Sequence, residues 1–283
     1  MKLIEAFSEG KYADAARCED GWCLTPDFAA VVDGSTSKAA KTYLPNVSAS
    51  AGGDKETTGH MAMRTVLECI ETLSAEADMR QTAEVLTKAL KAVNAPESVL
   101  HPEQRCTCSA AVFSRRRREV WLFGDCQCRF GGRTYTNNKY VDEVLTHIRC
   151  DVNRYLLSHG YTEDALRQND IGRALIYDAL REQTGFQNDL NVHNPYRYTV
   201  LDGMPIDLTT VPVLHVAEGD MVILASDGYP VLTDTLDDTE RTLQRLLLAD
   251  PLCIGENAAT KGLMLGQCSF DDRTFLKIDT RCD

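Results

Sequence analysis

The sequence predicts an α+β fold in which mostly antiparallel strands are covered on the outside by helices. Strand patterns fall in two blocks, residues 2–34 and 106–136, and return near 211–225 and 274–278. Amphipathic helical patterns lie between and after these blocks, so strands and helices do not alternate strictly as they would in a parallel βαβ chain. No stretch resembles a linker, and the chain is therefore predicted to form a single domain over residues 1–283.

Hydrophobic periodicity predicts the individual elements. Apolar, β-branched runs bounded by Gly and Pro predict strands, and apolar residues spaced three to four apart predict helices. Residues 35–55 show no periodicity and are predicted to be a loop, as is the segment 186–206, whose length is typical of functional lids. The predicted strands are 3–7, 21–24, 28–33, 109–113, 119–123, 211–216, 221–225 and 274–278, and the predicted helices lie over 63–73, 83–93, 141–156, 162–183 and around 243–247.

Acidic residues stand at the ends of three predicted strands. One buried run ends on Asp33-Gly34, another is followed by Asp227-Gly228, and Asp271-Asp272 precede the last strand. A carboxylate beside a buried strand is costly to desolvate unless a positive group meets it. Clusters of carboxylates suit Mg²⁺ or Mn²⁺. The simpler interpretation, that Asp-Gly only marks turns, explains one such pair better than it explains three acids at separate strand ends.

Composition and charge exclude several classes of protein. Hydrophobic residues make up 43% and charged residues 25% of the chain, which is ordinary for a globular protein, and the net charge of −12 argues against nucleic-acid binding. No apolar run approaches the ~20 residues that a membrane span needs. Glu5 interrupts the start of the chain before any secretory signal could form. We therefore expect a cytoplasmic protein whose partners are neither nucleic acid nor membrane.

Eleven cysteines include two pairs with strand spacing, Cys106 and Cys108, and Cys126 and Cys128. The two residues of each pair should lie on one face of a strand, and the pairs could meet across a hairpin as a metal site or a disulfide. The favoured interpretation is that they are small buried hydrophobic residues, because no Cys-x-x-Cys motif is present and such spacing specifies metal poorly.

Six short motifs are informative through their order. P-loop, Gly-x-Gly-x-x-Gly and His-Glu-x-x-His motifs are absent. Those present are Arg17-Cys18-Glu19-Asp20, Val31-Val32-Asp33-Gly34, Cys108-Ser109-Ala110-Ala111-Val112, Gly124-Asp125-Cys126, Glu218-Gly219-Asp220 followed by Leu224-Ala225-Ser226-Asp227-Gly228, and Asp271-Asp272-Arg273-Thr274-Phe275. Together, over residues 12–278, they resemble the metal-dependent protein phosphatases of type 2C, including the bacterial members.

This resemblance implies a four-layer αββα sandwich, two antiparallel sheets flanked by helices, with a pair of Mg²⁺ or Mn²⁺ ions at one end. It implies that Asp33 bridges the two metals and that Gly34 contributes its carbonyl to one of them. Asp227 and Asp271 would hold the other. Because successive side chains of a strand point to opposite faces, only one of Asp271 and Asp272 can be directed at a metal, and the match assigns that role to Asp271.

Three further acids complete the metal site that the resemblance implies. Glu19, or its neighbour Asp20, would support the second metal directly or through water. Asp125 would take part in a third site, as in some bacterial members. Water held between two metals about 3.5–4 Å apart loses its proton near neutral pH and attacks phosphorus in line, so no protein nucleophile is required.

The substrate side departs from the family pattern. The family's phosphate-binding Arg falls on Ala15, and we predict that Arg17, which has the same strand parity, contacts phosphate instead. Ser35 stands where eukaryotic members of the family carry a His. Bacterial members also lack this His, and Ser35 is a second candidate for substrate binding. Residues 136–206 match the family's substrate-contacting flap poorly, so they form a divergent helical and loop region.

The leading hypothesis is a Mg²⁺- or Mn²⁺-dependent phosphatase acting on phosphoserine or phosphothreonine in a phosphoprotein, or on a small phosphate monoester. The alternative is a catalytically weak or inactive relative that uses the same fold as a binding or regulatory module. A weaker alternative is a metal phosphoesterase of another fold, since Asp-Gly strand ends occur there as well. The intact acids favour the enzyme, whereas the missing Arg and the divergent flap favour the binding module.

Overall fold

Ten strands form two antiparallel five-stranded sheets in the computed structural model, which describes residues 1–14, 17–35 and 56–281. The strand order is β1-β10-β9-β6-β7 in the first sheet and β2-β3-β4-β5-β8 in the second. The strands are β1 Lys2–Glu9, β2 Asp20–Leu24, β3 Phe28–Gly34, β4 Cys108–Ser114, β5 Glu119–Phe123, β6 Gln127–Phe130, β7 Arg133–Tyr135, β8 Val213–His215, β9 Met221–Ala225 and β10 Arg273–Asp279.

Six α-helices accompany these sheets in the described part of the chain: α1 Thr58–Glu71, α2 Met79–Val93, α3 Tyr140–Ser158, α4 Glu163–Gln168, α5 Ile171–Glu182 and α6 Leu236–Ala249. In this part of the chain no helix has both the length and the apolar character needed to cross a membrane. Ala15 and nearly all of the predicted loop 35–55 lie outside the described residues.

Alternation along β3 shows how the layers are built. Ala29 and Val31 pack between the two sheets, while Ala30 and Val32 pack on the opposite side against α1 and α2. The outer face of the first sheet is covered by α6, whose Leu243, Leu246 and Leu247 pack with the β9 and β10 side chains. The order is therefore helix, sheet, sheet, helix, which confirms the predicted α+β sandwich of two antiparallel sheets flanked by helices.

Two predicted elements differ from those observed. The predicted helix 162–183 is divided into α4 and α5, because the Asp170 carboxylate accepts the Arg173 backbone N–H at 2.8 Å and begins a new helix there. The predicted strand 211–216 is reduced to the three residues of β8, since a 3-10 turn at Leu208–Thr210 precedes it. The segment 187–207 holds no helix or strand, in agreement with the predicted loop.

The four cysteines with strand spacing are buried, at most 4% exposed, and all are free thiols. Cys106 and Cys108 lie in the core beneath α1, whereas Cys126 and Cys128 lie between the sheets, so the two pairs are in different layers. The interpretation as small hydrophobic residues fits this placement.

Candidate active site

Acids from both sheets line one cavity of about 310 Å³ at an end of the sandwich. Asp33 ends β3 of the second sheet, while Asp227 follows β9 and Asp271 precedes β10, which are adjacent strands of the first sheet. Asp125, which follows β5, lines the same cavity. The two sheets therefore bring four predicted metal ligands to a common space. Their role as ligands stays a prediction.

Glycine after Asp33 and after Asp227 allows this convergence. A Cβ on Gly34 would overlap the Gly59 carbonyl oxygen, at the start of α1. A Cβ on Gly228 would overlap the Asp272 carbonyl oxygen. Any side chain at either position would push the strand ends apart, so both Asp-Gly pairs serve close backbone approach here.

The second predicted group of acids, Glu19 and Asp20, lies beside the cavity, and neither is among the described residues that line it. The Glu19 carboxylate is 6% exposed and accepts a hydrogen bond from the Thr57 hydroxyl at 2.5 Å. Asp20 is 5% exposed and pairs in register with Asp33 across β2 and β3. Within the described residues, neither Asp20 carboxylate oxygen has a hydrogen-bond partner. A buried carboxylate without a partner loses its solvation by water, and a nearby positive charge would offset this cost.

Burial and mutual repulsion raise the pKa of several of these acids. Burial, followed by repulsion from Asp20 and Asp227, raises the pKa of Asp33 well above its usual value. Asp227 is accessible from the cavity, yet desolvation by the surrounding protein and repulsion from Asp125 also raise its pKa. Burial and the neighbouring Asp272 and Asp227 raise the pKa of Asp20 to about 7. The cluster therefore carries more negative charge than its surroundings balance.

Asp125, unlike Asp33 and Asp227, forms a salt bridge with a lysine within the described residues. Its carboxylate accepts the Ser109 hydroxyl at 2.5 Å and pairs with the Lys139 ammonium at 2.6 Å. Burial alone would raise the pKa of Asp125, but attraction to Lys139 outweighs it, and the pKa is lowered. Lys139 belongs to the segment just before α3, which sequence analysis assigned to the flap without naming this residue.

Asp271 and Asp272 have different surroundings. The Asp271 carboxylate, which faces the cavity, pairs with Lys11 at 2.8 Å and also with Lys261. Although Lys261 has this partner, burial and repulsion by Lys11 lower its pKa to about 8. Asp272 accepts the backbone N–H groups of Lys11 and Glu19, each at 2.9 Å. Asp272 therefore fixes the turn before β2, although it also lines the cavity and lies 3.7 Å from the Lys11 ammonium. The Asp271 side chain is 23% exposed, against 5% for Asp272, and is the one of the pair that a cation could recruit.

These residues fit a hard divalent cation by their chemistry. The donors are carboxylates, and Asp20, beside them, is buried without a hydrogen-bond partner within the described residues. Repulsion among these acids shows that the cluster lacks balancing positive charge. As the side chains stand, no three His, Cys, Asp or Glu side chains within the described residues converge closely enough to hold an ion. Two of the carboxylates are turned to lysine ammonium groups instead, so binding a cation would require these salt bridges to open.

The predicted substrate residues have different placements. Ser35 lines the cavity, next to Gly34. Arg17 is exposed, its guanidinium lies over the Tyr12 ring at 3.9 Å from the centroid, and it is not among the described lining residues. Its role as the phosphate contact stays a prediction. The described cations that do line the cavity are Lys139, Arg173 and Lys261.

Sequence reasoning named none of these three cations. For Arg173 a signal was present, because Arg173, Tyr177 and Leu180 have the i, i+4, i+7 spacing of one helix face, and all three line the cavity. A basic residue in line with an apolar stripe indicates a helix that faces a polar site. Lys139 and Lys261 lie outside regular elements, so no periodicity marks them.

Replacing Asp20 by asparagine is expected to stabilise the metal-free protein near pH 8. The pKa of Asp20 is about 7 in the folded state, above its usual value of 3.8, so between these values folding takes up a proton and stability falls as pH rises. We expect the variant to be more stable by roughly 1–3 kcal/mol near pH 8, since each pKa unit corresponds to about 1.4 kcal/mol and the buried amide retains some cost.

Thermal unfolding with a chelator, at pH values from 4 to 8, tests this expectation. The difference between variant and wild type should shrink toward pH 4, where Asp20 is protonated in the folded state. Asp27→Asn, at the opposite end of β3, is the control and should show no such trend. A variant less stable than wild type near pH 8 would contradict the electrostatic interpretation.

Comparisons with known proteins give similarity in structure alone, because neither a protein-family model nor a curated protein sequence matches the chain. The Mycobacterium tuberculosis serine/threonine phosphatase PstP/Ppp is 15% identical, covers 98% of both chains and has a TM-score of 0.45. The PPM Ser-Thr phosphatase MsPP from Mycobacterium smegmatis, in complex with cacodylate, is 14% identical, covers 99% of both chains and has a TM-score of 0.46. PppA, a regulatory component of the type VI secretion system in Pseudomonas aeruginosa, is 14% identical, covers 96% of this chain and 95% of its own, and has a TM-score of 0.47.

Two of these three structures are named as serine/threonine phosphatases, the class that the sequence motifs resemble. Since the identities and TM-scores are low, the fold assignment depends on the strand pairing and layers described above, which are those that the type 2C resemblance implies.

Proposed function

We propose that this protein is a Mg²⁺- or Mn²⁺-dependent phosphatase that hydrolyses phosphate monoesters, either phosphoserine and phosphothreonine in a protein or a small phosphorylated molecule. The observation that carries the proposal is the convergence of Asp33, Asp125, Asp227 and Asp271 on one cavity from strand ends of both sheets. Such a set suits hard divalent cations.

In this proposal Asp33, at the centre of the cluster, and the Gly34 carbonyl would hold metal on one side of the cavity. Asp227 and Asp271 would hold it on the other side, with Asp33 shared between them. When bound, the metals supply a water of lowered pKa for attack on phosphorus and offset the charge of the phosphoryl group. The raised pKa values of Asp33 and Asp227 support this arrangement, because a cation would replace the missing countercharge.

The remaining predicted residues have supporting roles in the proposal. Asp20 lies under the cavity and stabilises the second metal electrostatically, while Glu19 orients the start of α1 through Thr57. Asp125 would contribute to a third metal site if its salt bridge with Lys139 opened. Ser35, on the cavity wall, contacts the substrate.

A second candidate function is a non-catalytic binding module. One observation favours it: Lys139 and Lys261 already pair with Asp125 and Asp271, so protein cations occupy positions at which the enzyme would hold metal. In that case the cavity would bind an anionic group without turning it over.

Hydrolysis of an aryl phosphate, measured with Mn²⁺ and with chelator, separates the two functions. The proposal predicts turnover that requires the metal and is lost on chelation. A phosphoserine peptide assayed beside the aryl ester then distinguishes a protein substrate from a small one. No metal-dependent turnover at any pH from 6 to 9 would favour the binding module.

A further inference from the structure

A phosphate dianion entering this cavity meets strong negative charge. Six aspartates line it, against three described cationic residues, Lys139, Arg173 and Lys261. Lys139 and Lys261 are each paired with an aspartate, but the Lys139 side chain is only 17% exposed, half the 34% of Lys261. Arg17 lies outside, over the Tyr12 ring. The protein cations best placed to meet the phosphoryl group are therefore Arg173 and Lys261.

Arg173 is held with its guanidinium at the cavity wall. Its Nη1 donates to the Thr260 carbonyl oxygen at 2.7 Å, and no carboxylate within the described chain forms an ion pair with it. The bond to Thr260 engages one of five guanidinium N–H groups, which leaves donors for a planar, two-point contact with phosphate oxygens. Tyr177 and Leu180, on the same face of α5, extend the wall beyond it.

Lys261 follows Thr260 directly, so the bond from Arg173 places the two cations side by side. Lys261 pairs with Asp271, and its ammonium lies close enough to Asp227 and Asp33 to interact with them electrostatically. An ammonium has three donors, so an incoming phosphate can share it with Asp271.

A buried arginine fixes both elements that carry these cations. Arg149, fully buried in α3, donates to the Asp170 carboxylate at the start of α5 at 2.7 Å. It also donates to the carbonyl oxygens of Leu252, at 2.7 Å, and Ala259, at 2.8 Å, in the segment that leads to Lys261. One fully satisfied guanidinium therefore holds α5 and this segment in a common register, which preorganises Arg173 and Lys261.

We propose that Arg173 and Lys261 bind the phosphoryl group of the substrate, in place of Arg17, and that Tyr177 and Leu180 contact the group esterified to it. The proposal rests on the proposed function for the identity of the substrate. It assigns phosphate recognition to the divergent flap and to the segment before β10, and not to the turn before β2.

The test measures binding of inorganic phosphate to the full-length protein in the presence of Mn²⁺, by calorimetry, alongside KM for an aryl phosphate. Arg173→Ala and Lys261→Gln are expected to weaken phosphate binding and raise KM at least about tenfold, the size expected for a lost charge-assisted hydrogen bond. Affinity for Mn²⁺ should not fall. The matched control is Arg181→Ala, on α5 but exposed and paired with Asp178 and Glu182, which should stay within twofold of wild type.

Arg17→Ala, measured in the same way, compares the two assignments directly. A larger effect of Arg17→Ala than of Arg173→Ala would overturn the inference, as would Arg173→Ala and Lys261→Gln both binding phosphate within twofold of wild type. Arg173→Lys keeps the charge but loses the planar contact, so it should fall between alanine and wild type and provides a second variant if Arg173→Ala does not fold.

The two measurements distinguish failure of this inference from failure of the proposed function. A wild-type protein that binds phosphate through Arg173 but hydrolyses nothing would support this inference and count against the proposed function. A wild-type protein that hydrolyses the ester, with phosphate affinity that neither variant changes, would support the proposed function and overturn the inference. Wild-type protein that binds no phosphate would also overturn it.

Discussion

Replacement of Asp33 by asparagine is expected to lower metal-dependent turnover of an aryl phosphate by much more than about 100-fold. Replacing a group that only supports a metal ligand typically costs about 10–100-fold. Asp33 occupies the centre of the acid cluster, with Asp20 opposite it and Asp227 and Asp125 close enough to raise its pKa. The amide keeps the shape of the side chain but removes the charge that would bind both metals. Steady-state kinetics with saturating Mn²⁺ gives the comparison.

Asp27→Asn is the matched control for this variant, because Asp27 precedes the same strand at its other end. It should retain wild-type kcat and KM. Both proteins should unfold cooperatively, which excludes misfolding as the cause of the loss. Turnover by Asp33→Asn within tenfold of wild type would show that the carboxylate is not at the reacting centre.

Asp271→Asn and Asp272→Asn are expected to fail in different ways, although the residues are adjacent. Asp271 faces the cavity, so its loss should nearly abolish turnover at limiting Mn²⁺, with partial rescue at high Mn²⁺. The Asp272 carboxylate accepts hydrogen bonds from two backbone N–H groups, one at each oxygen. An asparagine side chain has only one oxygen and can replace only one of these bonds well. The second N–H then stays buried without a partner, which costs about 1–3 kcal/mol of stability.

Metal titrations of activity and thermal unfolding of both variants separate these effects. Asp272→Asn should unfold at a lower temperature while its folded fraction keeps wild-type dependence on Mn²⁺. Asp271→Asn should show the reverse. If Asp272→Asn instead proved to be the variant with weakened metal dependence, the register at the start of β10 would be displaced by one residue.

The sequence was sufficient to predict the sheets and the acid cluster, because both depend on local patterns. The run 28–32 is apolar at every position, and both of its faces are buried, toward α1 and toward the other sheet. The acids at strand ends meet because these strand ends, from two packed sheets, lie at the same end of the sandwich. Asp20, in contrast, was predicted only as an alternative to Glu19, and its pairing with Asp33 depends on the register of β2 against β3.

The cationic side of the site could not be predicted in this way. Arg173 reaches the cavity only because Asp170 begins α5 two residues after α4 has ended, and because Arg149 fixes that helix against the segment 252–259. Lys261 reaches it through a segment without regular structure. These placements depend on contacts between residues about 20 to 110 positions apart, which hydrophobic periodicity does not report.

Calorimetric titration of Mn²⁺ into the metal-free protein tests most directly the claim that the acid cavity is a divalent-cation site. We predict binding of at least two ions per chain, with loss of at least one in Asp33→Asn. Because the pKa values of Asp33 and Asp227 are raised, binding should release protons, and more of them as the pH is lowered, seen as a heat that depends on the buffer. The account would be contradicted if the wild-type protein bound no Mn²⁺. It would also be contradicted if the wild-type protein bound the same number of ions as Asp33→Asn and released no protons.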